Sequence, residues 1–232
     1  MLTANSVIKD LKRKGTAKRA KASAWFFKTG EGQYGAGDQF IGITVPEQRR
    51  LAKKYRDLTL PEIEGMLKSK IHEHRLTALF ILVGQYQKAK EKKPLVAFYL
   101  KNLKFVNNWD LVDSSAPYIL GDYLLDKNKD QLYTLAKSKD LWERRVAMIA
   151  CGGFIRKNKF EDALKIAEIL KDDKEDLIQK AVGWMLREVG NRDLKVEEKF
   201  LDKHYQMMPR TMLRYAIEKF TPKKKAWYMG KS

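Results

Sequence analysis

Apolar residues along the chain recur mostly at steps of three and four, the spacing that places side chains on one face of an α-helix. Only 6 prolines and 14 glycines interrupt this pattern, and no convincing strand pattern of alternating apolar and polar residues is present. The sequence therefore predicts an all-α protein. The predicted helices cover residues 3–14, 17–28, 46–56, 60–69, 73–89, 94–103, 108–125, 129–138, 140–156, 160–170, 174–189, 196–206, 209–219 and 222–228.

Local signals mark two helix starts and one loop. Thr44 precedes Pro46, and Thr59 precedes Pro61, which is typical of an N-cap followed by proline in the first helical turn. Residues 29–42 contain five glycines and are predicted to form a loop. These glycines suit tight turning, and they also suit close approach of a binding partner.

Four of the predicted helices share a register of 35 residues. Short helix, turn and longer helix, repeated with this period, are typical of an α-solenoid of HEAT-like (ARM/HEAT) repeats, whose longer helices line one concave face. The sequence therefore predicts a single domain, residues 1–232, with a basic concave face. In this register one column contains Arg75, Asp110, Arg145 and Lys180.

A second column of the register contains one acid. Three places further along, the four helices carry Ala78, Asp113, Met148 and Gly183. An ionised carboxylate on a packed helix face is costly unless something offsets it. Asp113 is therefore the first candidate for a functional residue.

The charge balance indicates the class of partner. Lys and Arg total 47 against 29 Asp and Glu, a net charge of +18 spread along the whole chain. Such an excess favours a polyanionic partner, of which nucleic acid is the leading candidate, although ordinary solubilising lysines are an alternative. Hydrophobic residues make up 44% of the chain, which excludes a largely disordered protein.

The cysteine content and the apolar runs indicate a compartment. The single cysteine, Cys151, lies in an apolar run and is predicted to be a buried thiol in a reducing environment. No apolar run reaches membrane-spanning length, and the N-terminus lacks the apolar core of a signal peptide. We therefore expect a cytoplasmic protein without membrane association.

Two indoles and several cations accompany the acid. Trp109 and Asp113 are four residues apart and share a helix face. A later helix carries Lys180, Trp184 and Arg187 at steps of four and three, and Arg145 supplies a cation in the repeat between them. Singly, these residues have simpler explanations: Trp184 in the core, the arginines solvated, and Asp113 paired with an arginine. Together they favour a functional face.

The sequence motifs of these helices are similar to those of a known family. Asn-Trp-Asp-Leu-Val-Asp at 108–113, Leu-Gly-Asp at 120–122, Trp-Glu-Arg-Arg-Val-Ala at 142–147 and Ile-Gln-Lys-Ala-Val-Gly-Trp-Met-Leu-Arg-Glu at 178–188 resemble the AlkD family of DNA alkylation repair glycosylases. Phe-Ile-Gly-Ile at 40–43, with Pro46 and Arg49, also looks like that family's N-terminal part. The similarity runs from about residue 24 to residue 220.

The resemblance implies a HEAT-like-repeat enzyme that removes cationic N3- and N7-alkylated purines from double-stranded DNA. Trp109, Asp113 and Trp184 match the family's active-site positions, and Arg145 and Arg187 match basic residues used along the DNA backbone. We expect Lys180 to join them. Some members carry a second tryptophan at the position of Asn108, so lesion preference can differ. The resemblance also suggests that the lesion stays stacked while tryptophans contact the sugar.

The expected chemistry needs neither a general acid nor a metal. A purine alkylated at N3 or N7 is already cationic, so its glycosidic bond breaks without protonation of the base. None of the three histidines, His72, His74 and His204, is expected at the site, and His72 and His74 are expected to be solvated. Neither they nor the cysteine show ligand spacing, so no metal and no cofactor are expected. Asp113 would stabilise the oxocarbenium-like sugar and position water.

Two other functions remain open from the sequence. One is a non-catalytic HEAT-repeat scaffold that binds nucleic acid, and the other is a solenoid that binds an acidic protein. The leading hypothesis predicts a monofunctional glycosylase that acts as a monomer without an obligate protein partner. The lysines at 223–225, with Trp227 and Tyr228 beyond, either help to hold DNA or form a solvated C-terminal segment.

Overall fold

The computed structural model describes residues 2–230, which fold into helices joined by short connections. The chain divides into two compact units, which meet in sequence at Ser115 and Ala116. The first unit contains α1 (Ala4–Lys14), α2 (Ala17–Phe26), α3 (Val45–Lys54), α4 (Leu60–Leu67), α5 (His72–Lys88), α6 (Lys93–Lys101), a 3-10 turn (Leu103–Phe105) and α7 (Trp109–Asp113).

The second unit is also helical throughout. It contains α8 (Ala116–Tyr123), α9 (Asp130–Ala136), α10 (Leu141–Ala150), α11 (Gly152–Ile155), α12 (Glu161–Leu170), α13 (Asp176–Gly190), α14 (Leu194–His204), α15 (Arg210–Ala216), a 3-10 turn (Ile217–Lys219) and α16 (Pro222–Gly230). Residues 2–230 contain no strand, only an isolated bridge between Gln39 and Ile71. The all-α prediction is confirmed, and every predicted helix has a counterpart.

The predicted helix at 108–125 is interrupted, which separates α7 from α8. Pro117 explains the break, because it has no N–H to donate to the carbonyl of residue 113 and its ring crowds that carbonyl. The hydroxyl of Ser115 donates to the carbonyl of Leu111 at 2.6 Å. The helix therefore ends just beyond Asp113, and a new one starts at Ala116.

The predicted helix at 140–156 is also interrupted, at Cys151. Two glycines follow, and Gly153 lies close to the backbone of Gly121 on α8. A side chain at Gly153 or at Gly121 would collide with the facing backbone, so the close approach of the two segments depends on these two glycines. Cys151 is fully buried and donates its thiol to the carbonyl of Ala147 at 3.3 Å, as expected of a packed thiol.

The longer helices in the 35-residue register form the centre of each unit. In the first unit α5 packs against α3, α4 and α7, and in the second α10 and α13 pack against each other. Ala78 and Met148 are fully buried, and Gly183 is buried as well. Asp113 occupies the same column but is only half-buried. The acid therefore lies at a position that water reaches, where an ionised carboxylate is tolerated.

Gly183 allows α13 and α15 to approach closely, and we expect Gly183→Ala to destabilise the protein. A Cβ at residue 183 would overlap the carbonyl oxygen of Met212 and the side chain of Tyr215. Overpacking of this kind typically costs about 1–3 kcal/mol. Gly84→Ala is the matched control, because a Cβ there meets nothing within 4 Å. Thermal unfolding should show a lower Tm for the first variant and an unchanged or higher Tm for the second.

Within residues 2–230, no helix combines the length and the apolar character that crossing a bilayer requires.

Candidate active site

Trp109 and Asp113 begin and end α7, a helix of five residues in the first unit. Asn108 is the N-cap, and its side-chain oxygen accepts from the backbone N–H of Trp109 at 2.8 Å. At the other end, the buried Tyr99 hydroxyl lies 2.9 Å from the Ser115 hydroxyl. Because both ends are held by hydrogen bonds, the short helix presents its two candidate residues at fixed positions.

An aromatic cluster holds the indole of Trp109. Its ring stacks on Phe27 with a centroid distance of 5.3 Å and an interplanar angle of 16°, and Phe26 meets it edge-on at 5.9 Å. Phe27 in turn stacks on Phe40 at 5.1 Å. Aromatic pairs of this geometry each contribute about 0.5–1.5 kcal/mol beyond the burial of their area. The cluster therefore fixes Trp109 from segments far away in the sequence.

His72 lies inside the cluster that holds Trp109, so the expectations that it is solvated and that it lies away from the candidate site are both wrong. Its side chain is 1% exposed, and its ring lies 4.7 Å from Phe27 and 4.8 Å from Phe40 between centroids. Nδ1 is 3.1 Å from Asp38 Oδ2, and Nε2 is 2.8 Å from Asp110 Oδ2. His72 therefore joins the loop to α7 at Asp110, one residue after Trp109, and no pattern in the sequence predicts this placement.

Two acids keep His72 protonated. Burial opposes its charge, but the charge of Asp110 and the hydrogen bonds with Asp110 and Asp38 raise the pKa of His72 to about 9. Burial also opposes ionisation of Asp38, yet the hydrogen bond with His72 and the charge of Arg75 hold the pKa of that carboxyl below its usual value. At neutral pH both ring N–H groups donate, and the arrangement is a buried cation between two carboxylates.

His74 lies two residues further along α5 and is also buried, so the expectation that it is solvated is wrong too. Its side chain is 4% exposed, and its Nδ1 is 2.9 Å from the hydroxyl of Ser69. Burial and the positive charge of Arg75 lower the pKa of His74 to about 4. At neutral pH His72 is therefore a cation and His74 is neutral, because only His72 has acidic partners.

Hydrogen bonds and an ion pair hold the glycine-rich loop against α5. Glu73 accepts hydrogen bonds from the backbone N–H groups of Ile41 and Gly42, the latter at 2.8 Å. Arg75 donates to Asp38 at 2.7 Å. Gly42 has a φ of 76° and touches the backbone of Thr16, which leaves no room for a side chain. Gly42 therefore serves tight turning and close packing of the chain against itself, and close approach of a binding partner stays a prediction.

The other candidate residues belong to the second unit. Arg145 on α10 is buried, and its guanidinium donates to the carbonyl of Leu177 at 2.6 Å. On α13, Lys180 pairs with Asp176 at 2.7 Å, and Arg187 pairs with Glu218. The indole N–H of the half-buried Trp184 donates to Glu188 at 3.1 Å. α13 therefore carries three of the candidates, and Arg145 lies on the helix packed beside it.

Comparison with known proteins shows the family. The DNA alkylation repair enzyme family matches the chain over residues 7–220. The chain belongs to this family. The match begins before residue 24, where the resemblance read from the motifs starts, and it confirms that resemblance. No curated protein matches the chain.

Two solved structures share the fold. A protein described as a predicted DNA alkylation repair enzyme from Enterococcus faecalis superimposes with a TM-score of 0.70, with 19% identity over 90% of this chain and 98% of that one. AlkD2 from Streptococcus mutans superimposes with a TM-score of 0.54, with 17% identity over 94% of this chain and 97% of that one. The prediction of an AlkD-like helical-repeat fold is confirmed.

The sequence identified Trp109 and Asp113 as candidates but not the residues that hold α7 in place. Phe27, Asp38 and His72 were not among the candidates, although all three determine where α7 and Trp109 lie. One signal was present: Phe40 belongs to the N-terminal motif shared with this DNA alkylation repair family, and Asp38 lies two residues before it. An acid next to a family motif in a predicted loop is worth testing as a contact to the site.

Proposed function

We propose that this DNA alkylation repair family member is a monofunctional DNA glycosylase. It hydrolyses the N-glycosidic bond of cationic N3- and N7-alkylated purines, such as 7-methylguanine and 3-methyladenine, in duplex DNA as a step of base excision repair. The observation that supports this most is the half-buried Asp113, in a register column that is otherwise buried and uncharged, one helical turn from Trp109. Family membership supports DNA as the substrate.

The reaction requires stabilisation of one positive charge as it moves. When the bond between C1′ and N9 breaks, the bonding pair goes to the purine, which becomes neutral, and the deoxyribose becomes oxocarbenium-like. Asp113 stabilises this sugar cation, and water adds to C1′ as the carboxylate accepts its proton. A carboxylate about 4 Å from a unit charge, at an effective dielectric near 20, contributes about 4 kcal/mol. This corresponds to about a thousandfold in rate.

The aromatic residues favour charged lesions over neutral ones. Trp109, held by Phe27 and Phe26, contacts the sugar or the lesion, and cation–π contact contributes about 0.5–2 kcal/mol. A neutral adduct gains neither this contact nor the attraction of Asp113. The corresponding role of Trp184 follows from the family resemblance.

The basic residues are proposed to hold the DNA backbone, with different requirements at each position. Lys180 and Arg187 have acidic partners whose side chains are 60% and 53% exposed, so a phosphate can replace Asp176 or Glu218. Arg145 is buried and bound to the Leu177 carbonyl. Arg145 is therefore proposed to act on DNA by fixing the start of α13.

A non-catalytic nucleic-acid scaffold is the alternative, and the net charge of +18 favours it equally. One assay separates the two functions. Purified protein is incubated with duplex DNA treated with a methylating agent, and the released bases are identified by chromatography. The glycosylase releases 7-methylguanine and 3-methyladenine and leaves abasic sites without nicking the strand. A scaffold binds the same DNA in a salt-sensitive manner and releases nothing, which would refute the proposal.

A further inference from the structure

The second unit contains a large cavity that none of the proposed catalytic residues line. Its volume is about 890 Å³, within the range of about 300–1,000 Å³ that is usual for small-molecule sites. Its walls come from the end of α13, from α14 and from α16. The C-terminal segment is thus a folded helix with Tyr228 buried, and it forms one wall of this cavity.

Glu197 gives the cavity a specific polar group. It is 2% exposed and lines the cavity, and its Oε1 is buried without a hydrogen-bond partner among the described residues. Burial and the neighbouring Glu198 raise the pKa of this carboxyl to about 8, although Arg187 acts in the opposite direction. At neutral pH the group is therefore largely a carboxylic acid, which can both donate and accept a hydrogen bond. A buried unpaired oxygen is costly, and a ligand that pairs with it would remove that cost.

Aromatic rings supply an apolar wall. Trp227 is 45% exposed, and its ring lies 5.4 Å from that of Tyr205 between centroids. Phe220 lies 5.7 Å from Tyr228, and both line the cavity. A partly exposed indole in a cavity wall offers a flat surface for a planar ligand, and stacking on aromatic side chains is a common way of holding a base.

The charged groups around the cavity favour a ligand with an anionic end. Glu198 pairs with Lys224, Arg187 pairs with Glu218, and the Asp202 carboxylate accepts from the Tyr228 hydroxyl at 2.8 Å. Lys219 and Lys223 also line the cavity, and neither forms an ion pair within the part of the chain that the structure describes. Two exposed cations thus remain at the rim, where a phosphate would be attracted.

We propose that this cavity binds an adenine nucleotide. The base lies on Trp227 with its amino edge at Glu197, and the phosphate lies at Lys219 and Lys223. Adenine presents an N6–H donor beside the N1 acceptor, which complements a carboxyl that accepts and donates. Guanine presents two adjacent donors, N1–H and N2–H, on the same edge and would need Glu197 as a carboxylate. The nucleotide is either a free mononucleotide or the terminal residue of a DNA strand.

Titration calorimetry with 5′-AMP at pH 7 and pH 9 tests the proposal. Affinity is expected to fall about tenfold at the higher pH, because Glu197 loses its proton between the two values. Glu197→Gln keeps an acceptor and a donor at every pH, so it should bind AMP with no such pH dependence. Glu197→Leu and Trp227→Ala should each weaken binding about tenfold or more. Trp25→Ala is the matched control, since this indole is 83% exposed in the first unit.

A second arm identifies the source of the nucleotide. Single-stranded oligonucleotides with a 5′-phosphorylated terminal adenine are compared with AMP, and tighter binding of either one assigns the source. The proposal is overturned if neither ligand binds, or if Glu197→Leu and Trp227→Ala leave binding unchanged. Asp113→Asn should retain AMP binding, so failure of the glycosylase proposal and failure of this one give different results.

Discussion

Replacement of Asp113 with asparagine is expected to slow release of 7-methylguanine from methylated duplex DNA about a thousandfold. Asparagine keeps the shape of the side chain but removes the charge that stabilises the sugar cation. The residue is half-buried at the end of α7, so the change should leave the fold intact. Chromatography of released bases under single-turnover conditions measures the effect, and fluorescence anisotropy should show nearly unchanged DNA affinity.

Asp57→Asn is the matched control for this variant. Asp57 lies in the same unit, its side chain is 77% exposed, and the chemical change is identical. The control should release bases at the wild-type rate, which separates loss of charge at the site from loss of one charge anywhere. Release at the wild-type rate by Asp113→Asn would show that another group carries the chemistry.

Replacement of His72 with leucine is expected to destabilise the protein by about 3–5 kcal/mol, because it leaves Asp38 and Asp110 as buried acids without their shared donor. The change should also reduce base release, since Asp110 follows Trp109 directly and both lose their link to the loop. Denaturant unfolding monitored by circular dichroism measures the stability. Equal stability of variant and wild type would show that the buried cation is not required.

The pH dependence of stability provides a second test of the same network. The folded pKa of His72, about 9, exceeds its ordinary value of 6.5, so the protonated state favours folding. This stabilisation is complete below pH 6.5 and is lost as the pH rises through 9, and it amounts to about 3 kcal/mol. The raised pKa of Glu197 also makes the protein lose stability as the pH rises, between 4.5 and about 8, which partly overlaps this range. The informative quantity is therefore the difference in unfolding free energy between wild type and His72→Leu at each pH.

His74→Leu is the control for this measurement. Burial lowers the pKa of His74 to about 4, so this residue is neutral in both folded and unfolded chains above pH 6.5. Its removal should leave the decline between pH 6.5 and 9 unchanged, whereas removal of His72 should flatten it. Between pH 6.5 and pH 4 the unfolded chain binds a proton at His74 and the folded chain does not, so this residue lowers the stability of the wild type as the pH falls.

The helices were predictable because burial imposes a period on the sequence, but their breaks were not. The interruption near Ser115 arises from Pro117, a proline inside a helical pattern, and the apolar period continues across it without marking the break. The interruption at Cys151 comes directly before glycines that pack closely against α8, a tertiary contact that periodicity does not show. Periodicity reports which face is buried, whereas a break often depends on what lies opposite.

The candidate site could be predicted from the sequence only where its residues follow the repeat. Its position in the register identified Asp113 as unusual, and in the structure Asp113 is half-buried whereas the other members of its column are buried. The other column shows the limit: Arg75 binds Asp38, Asp110 binds His72, and Arg145 binds a backbone carbonyl. Equivalent positions thus acquired different partners. His72 was missed for the same reason, since one of its acids comes from a loop without periodic pattern.

The aromatic stack on Trp109 limits how far the protein can be shortened. A fragment that starts at α3 would keep both ends of α7, yet it would lack Phe27, Asp38 and Phe40. Its indole would lose the surface it rests on, and His72 would lose one of its two carboxylates. A shortened version of the protein must therefore include the segment before α3, although none of the residues proposed for chemistry lies in it.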